Sequence, residues 1–195
     1  MSKSVMLSVR PERCEKICCG EKTIEVRKTR PKLQTPFKCY IYCTVEMAGY
    51  DALWVLDAPT REEYSVMAVC AYLENPKGAN KGNGKVIGEF DCDRIYKIDK
   101  DSTDFLFKAG ELSVYKQAAE EKCGLCVAMT DDELHGYLGH CQGYGWHISD
   151  LVIYDEPKEL AHFHECSRCE YPFCGEQCHS PLTRAPQSWC YVEEG

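Results

Sequence analysis

The sequence predicts an α+β fold, a small β-barrel of short strands with peripheral helices and insertions. Three observations predict it: several stretches alternate apolar and polar residues, long connections separate them, and a single short helix stands near the start. Ser4 to Arg10 alternates well enough for a first strand, and Pro11 follows where proline is tolerated at the start of a helix. Cys14, Ile17 and Cys18 fall at i, i+3 and i+4 on one helical face, Glu12 lies in the first turn, and Gly20 is placed to end the helix in a left-handed conformation. A turn then leads into Lys22 to Arg27. Phe37, Cys39, Ile41 and Cys43 alternate with Lys38, Tyr40 and Tyr42, and Val86, Gly88, Phe90 and Cys92 repeat the pattern. Further strands are expected over Trp146 to Tyr154 and Gln187 to Val192.

The connections carry their own signals. Ala52 to Leu73 is expected to be helical in part, Glu111 to Lys122 has helix-forming composition with Gly124 beyond its end, and Thr130 with Glu133 forms a capping box. Residues 1–160 are therefore read as the barrel, with insertions at about 45–80 and 100–143, and residues 161–195 as a Cys-rich segment with a closing strand. Lys77 to Lys85 is not a phosphate-binding loop, because Ala79 and Val86 stand where that motif needs Gly and Ser or Thr; it reads as a hairpin connection.

Composition narrows the class. A chain of 195 residues with 44% apolar and 28% charged residues can bury a core as one domain of ordinary size. No stretch reaches the roughly 18 apolar residues of a membrane span, and the first residues lack the apolar core of a secretory signal, so a cytoplasmic location and no membrane partner are expected. The fifteen cysteines are then reduced thiols, some of them metal ligands. A net charge of −8 argues against nonspecific coating of duplex nucleic acid, which is driven by phosphate neutralisation. The charge is uneven: residues 1–40 hold ten Lys or Arg against four acids, and the rest of the chain thirteen against twenty-seven. A basic patch on an acidic body follows.

That patch contains Gly20-x-Lys22-x-x-Glu25-x-Arg27. In an extended segment Lys22, Ile24 and Val26 point to one side and Thr23, Glu25 and Arg27 to the other, so Glu25 and Arg27 are neighbours able to pair. A carboxylate held by a guanidinium is a fixed acceptor for the exocyclic amine of a base, and a lysine beside a glycine turn can meet a phosphate or carbonyl oxygen. Lys28, Arg30, Lys32 and Lys38 continue the positive charge as a strip for a sugar-phosphate backbone. Tyr40, Tyr42, Tyr144 and Trp146 are candidate stacking faces, and the glycines of Gly143-Tyr144-Gly145-Trp146 would let the backbone approach a ligand.

The same G-x-K-x-x-E-x-R text, set after a strand and a short helix, resembles the ASCH superfamily of PUA-like domains. The resemblance covers the strands well and the insertions poorly. It is closer to phage-associated and Firmicute-type ASCH proteins, which carry Pro-Arg-rich text like Lys28 to Pro36 and a C-terminal stretch like Pro181 to Glu194. It implies a module for RNA, single-stranded nucleic acid or a nucleotide, held in a cleft by Lys22, Glu25, Arg27, Lys28, Arg30, Tyr144 and Trp146. It also implies an alternative, because some compact ASCH proteins look like amidohydrolases that act on N4-acetylcytidine through a Lys and a Thr of this motif. Lys22 and Glu25 would then be catalytic; the family's threonine falls at Glu25, and a lysine beside Glu25 is held protonated, which disfavours it as a base. Binding is the favoured reading.

Near the C-terminal end, Cys166-x2-Cys169-x4-Cys174 is followed by Cys178 and His179, the spacing of a zinc knuckle. Tetrahedral Zn2+ takes four sulfur or nitrogen ligands, and a C-x2-C pair supplies two from one turn. A structural zinc ion is expected here, with Cys178 or His179 as fourth ligand and His162 and His164 as nearby alternatives. Cys123 and Cys126, with His140 or Cys141, form a weaker second candidate.

Overall fold

Apolar alternation becomes three hydrogen-bonded sheets in the computed structural model, which describes residues 3–45, 53–57, 59, 62, 69–70, 79–100, 105–139, 142–165 and 180–194. The chain forms two units: one built from Met1–Cys19, Lys38–Phe90 and Leu151–Gly195, the other from Gly20–Phe37 and Asp91–Asp150. The expected α+β, strand-dominated architecture is observed. Hydrogen bonding among the described strands leaves each sheet open, with two edges, and does not close it on itself.

In the first unit β1 (Ser4–Val9) lies parallel to β3 (Phe37–Cys43), Val5 opposite Cys39, and antiparallel to β14 (Trp189–Glu194), Ser4 opposite Val192. With a partner on both sides and cover on both faces, β1 is buried along almost its whole length. β7 (Val86–Cys92), β12 (Ser149–Lys158) and β13 (Phe163–Glu165) complete the order β12-β7-β3-β1-β14-β13, and β4 (Trp54–Leu56), β5 (Val69–Cys70) and β6 (Ala79–Lys81) form a small sheet of their own. Within 52–73, which the sequence predicts to be helical in part, residues 59 and 62 are helical and Trp54–Leu56 and Val69–Cys70 are strands. α1 (Pro11–Cys18) runs as expected, with Pro11 in its first turn and Cys14, Ile17 and Cys18 buried, and Gly20 beyond it takes φ +73°. Met6, Tyr40, Tyr42, Val86, Phe163, Leu182 and Val192 form one core cluster, Tyr40 edge-on to Phe163 at 4.7 Å. Tyr40 and Tyr42 are therefore core residues and not stacking faces.

The second unit is a five-stranded sheet in the order β10-β9-β8-β11-β2, made of β2 (Ile24–Arg27), β8 (Ile95–Lys100), β9 (Phe105–Ala109), β10 (Leu112–Tyr115) and β11 (Gly143–His147). Its neighbouring strands all run antiparallel. One face carries Ile24, Val26, Tyr96, Ile98, Phe105 and Phe107 and is covered by Ala119 of α2 (Lys116–Cys123) and by Leu134 and Leu138 of α3 (Asp131–Leu138). Both bonds of the Thr130–Glu133 capping box form at the start of α3, at 3.2 and 2.8 Å. α2 begins at Lys116, later than its composition indicates, because Leu112 to Tyr115 pair with β9 instead.

The register fixes the opposite face of that sheet. Arg27, Tyr144, Lys97, Lys108 and Ser113 stand side by side across all five strands. The two faces of one sheet thus differ: the one beneath is apolar, and the one above mixes Arg27, Lys97 and Lys108 with Glu25 and Asp99. β11 and β12 replace the single strand expected over 146–154, with Ile148 between them, and Asp150 takes φ 48° near the start of β12.

Candidate functional site

The Lys22, Glu25 and Arg27 side chains come together in the second unit. Arg27 Nη2 lies 2.8 Å from Glu25 Oε1, and Lys22 Nζ lies 3.4 Å from Glu25 Oε2, so each carboxylate oxygen meets one cation. All three residues are buried, at 3%, 7% and 6% exposure. Extended alternation would put Lys22 on the side away from Glu25. It does not, because β2 begins only at Ile24 and Lys22 lies in the turn before the strand, where alternation has no force.

The segment 124–127 holds this turn in place, a contribution the sequence did not announce. Thr23 Oγ1 donates to the Gly124 carbonyl at 2.8 Å and accepts from the Cys126 N–H at 2.8 Å. The N–H groups of Thr23 and Ile24 both reach the Cys126 carbonyl at 2.9 Å. Lys22 Nζ donates to the Val127 carbonyl at 2.8 Å, so the carbonyl it meets belongs to the protein. These bonds fix the positions of the Lys22 and Glu25 head groups before any ligand arrives.

Around this network the aromatic candidates separate. Trp146 lies opposite Glu25 on β11 but is fully buried, with Phe37 edge-on at 5.8 Å, so it packs and offers no stacking face. Gly143 and Gly145 do not mark a close ligand approach either. A Cβ on Gly143 would fall 2.6 Å from Leu138 Cδ2, and one on Gly145 2.8 Å from Ile24 Cγ2, so core side chains fill that space. Tyr144, opposite Arg27, stays partly exposed, and the Arg30 guanidinium lies 5.8 Å from its ring centre. Lys28 Nζ stands 5.4 Å from the ring centre of Tyr137, which is 37% exposed. Burial pushes the Tyr137 hydroxyl above its ordinary value of 10, with Arg27 pulling it down and Glu25 pushing it up. Tyr137, which spacing alone did not single out, therefore lies within the electrostatic field of the buried network and reaches the surface.

Farther along the row, Asp99 lies 3.2 Å from both Lys97 and Lys108. Burial raises the Asp99 carboxyl, but the Lys108 and Lys97 hydrogen bonds and charges outweigh it and hold the group below its ordinary value. In the first unit Lys38 pairs with Glu89, so its charge is compensated. That removes Lys38 from the strip formed by Lys28, Arg30 and Lys32.

Cys166, Cys169, Cys174, Cys178 and His179 lie outside the described residues, as do His140 and Cys141. Among the described residues no group of three or more His, Cys, Asp or Glu side chains is arranged to hold a metal ion. The flanks of the cysteine segment are joined: the Glu165 N–H meets the Ser180 carbonyl at 3.4 Å, and the Leu182 N–H meets the Phe163 carbonyl at 2.7 Å. Residues 165 and 180 are thus neighbours across a pinched base.

No protein-family model matches the sequence, and none of the curated proteins matches it. Solved structures do. The ASCH protein from Zymomonas mobilis superposes with a TM-score of 0.50 at 14% identity, over 97% of this chain and 87% of that one. A tyrosine-to-phenylalanine mutant of the same protein gives a TM-score of 0.50 at 14% identity, over 98% and 91%. At this identity the likeness speaks to the fold. No helix among the described residues is long and apolar enough to cross a membrane.

Proposed function

We propose that this chain, which has the fold of the ASCH proteins, binds single-stranded nucleic acid or a nucleotide on its second unit. In this reading Lys22, Glu25 and Arg27 read a base, while Lys28, Arg30 and Tyr144 hold what flanks it. One observation carries it: two cations and one carboxylate are buried together on the face of a sheet that continues into Tyr144, Lys97 and Lys108. Buried ion pairs are poor sources of stability, since well-packed apolar residues of the same volume do as well or better. Glu25, gripped at both oxygens, is a fixed acceptor of the kind that suits an exocyclic amine, and the surplus positive charge favours an anionic ligand.

The amidohydrolase alternative has less support, because Lys22 makes the contacts of an ammonium donor and Thr23 already donates and accepts one hydrogen bond each. We also propose a structural Zn2+ site formed by Cys166, Cys169, Cys174 and either Cys178 or His179. The spacing of the ligands and the pinched flanks of their segment support it.

The binding reading is tested by fluorescence anisotropy with labelled single-stranded oligoribonucleotides of mixed sequence, at two salt concentrations. Glu25→Gln is expected to weaken binding by about 1 to 3 kcal/mol and to change base preference, as the loss of a base contact does. Lys28→Ala should weaken all sequences alike and lower the salt slope by about one unit. Equal affinity of wild type and Glu25→Gln for every sequence would refute the assigned role of the network.

A further inference from the structure

We propose that a cavity in the second unit, of about 1070 Å³ and apart from the buried network, is a phosphate-binding site that takes a phosphodiester segment of the strand. It rests on the reading above and extends it by saying where the backbone lies; it shares Arg30 with that reading and adds Arg94. Three pieces of chain build it: the 30–35 loop after β2, the Asp93–Arg94 turn between β7 and β8, and the β9–β10 turn at Gly110. Gly110, at φ +58°, makes that last turn tight.

Arg30, Lys32 and Arg94 face this cavity, and Asp93 is the single acid on its wall. Asp93 is already engaged, since His147 Nδ1 lies 2.6 Å from its Oδ1. Among the described residues no carboxylate pairs with the side chains of Arg30 or Arg94. Two arginines from separate segments thus line one opening, with Asp93, held by His147, as the acid beside them. Their planar forks match the paired oxygens of a phosphate better than a point charge does.

Both arginines are also held in position. Arg30 rests over the Tyr144 ring. The backbone of Arg94 is anchored by its carbonyl, which accepts the His147 N–H at 2.9 Å and lies 3.5 Å from Cys92 Sγ. Leu33, Ile95 and Leu112 add an apolar wall on which a ribose or base can rest. The volume, about 1070 Å³, lies just above the range for small-molecule sites, about 300 to 1,000 Å³, which suits a strand of more than one nucleotide better than inorganic phosphate alone.

The test uses the full chain, a 5′-fluorescein decauridylate read by anisotropy, and ATP and inorganic pyrophosphate as competitors and as ligands in thermal melts. Arg94→Glu and Arg30→Glu are each expected to weaken decauridylate binding at least tenfold with an unchanged melting temperature, and Arg94→Lys to lose less. Lys81→Glu, the same charge change at an exposed position on β6, should bind as wild type does. A phosphodiester site predicts weak competition by ATP and pyrophosphate; strong, Arg94-dependent competition at equal concentrations would move the site to free polyphosphates and overturn the strand assignment. If decauridylate binding falls in Glu25→Gln but not in Arg94→Glu or Arg30→Glu, the cavity is refuted while the reading of the buried network stands. If it falls in the arginine variants but not in Glu25→Gln, the cavity stands and that reading fails. Wild type that binds none of the three probes refutes both.

Discussion

Replacing Arg27 with alanine separates a ligand site from a mere ion pair. The Arg27–Glu25 contact is 2.8 Å long, and both residues are under a tenth exposed. Removing one member of such a pair leaves a buried charge behind and costs about 3 to 5 kcal/mol. Lys22, 3.4 Å from the other carboxylate oxygen, remains to compensate Glu25, which puts the expected loss near the lower end, about 3 kcal/mol. That is about a hundredfold in the folding constant. In a Glu25→Gln background the neutral amide needs no counter-charge, so the same Arg27→Ala change should cost at most about 1.5 kcal/mol, a typical hydrogen-bond value. Urea unfolding of the four proteins gives the coupling directly as a double-mutant cycle. A loss below about 1 kcal/mol in the wild-type background, equal to that in the Glu25→Gln background, would show that the pair is solvated and the reasoning wrong. Anisotropy on the same samples adds the second axis. Arg27→Ala that is less stable but binds with unchanged affinity per folded molecule would make the pair purely structural.

Other perturbations probe separate parts of the molecule. A Cβ on Gly88 would lie 2.4 Å from the Val152 carbonyl oxygen, so Gly88→Ala must move backbone and should cost about 2 kcal/mol or more in urea unfolding. Gly136→Ala, which meets nothing within 4 Å on α3, should instead stabilise by about 0.5 to 1 kcal/mol. Burial raises the Glu89 carboxyl, but hydrogen bonds from Lys38 and Tyr154 and the Lys38 and Lys158 charges outweigh it and hold the group below its ordinary 4.5. A depressed carboxyl contributes stability that is present above pH 4.5 and lost as the pH falls through the folded value; melts from pH 7 to pH 3 should show a shallower acid limb in Glu89→Gln. Protein purified without added metal should carry about one zinc per chain, and chelation should lower its melting temperature; metal-free protein with an unchanged melt would refute the cysteine site.

Local chemistry made much of this molecule legible in the sequence. Pro11 and Gly20 bracket α1, Thr130 and Glu133 open α3, and the alternation from Phe37 and from Val86 yields β3 and β7, because each signal acts within a few residues. The Glu25–Arg27 pair was legible for the same reason, being two positions apart on one strand. What escaped depends on distant partners. β8, β9 and β10 are short and stand as strands through pairing with one another, so Leu112 to Tyr115 read as the start of a helix. Trp146 looked like a stacking face beside two glycines, but those glycines are small because Leu138 and Ile24 pack over them, and Trp146 is buried with Phe37 edge-on. The Val127 carbonyl that receives Lys22 and the Arg94 guanidinium at the cavity come from segments with no motif, and only the folded chain brings them to the site.

The position of β1 between β3 and β14 has a consequence for how the protein is made. On the ribosome β3 follows β1 closely, but β14 comes about 150 residues after β3, on the order of ten seconds of translation at roughly 5 to 20 residues per second. Throughout that interval one edge of β1, four of whose six residues are apolar, has no native neighbour. The nascent chain therefore carries a sticky edge that its own sequence covers last, and loss of residues 189–194 should send newly made protein into aggregates or onto chaperones. The sheet of the second unit is complete earlier, once β11 has emerged to pair with β2.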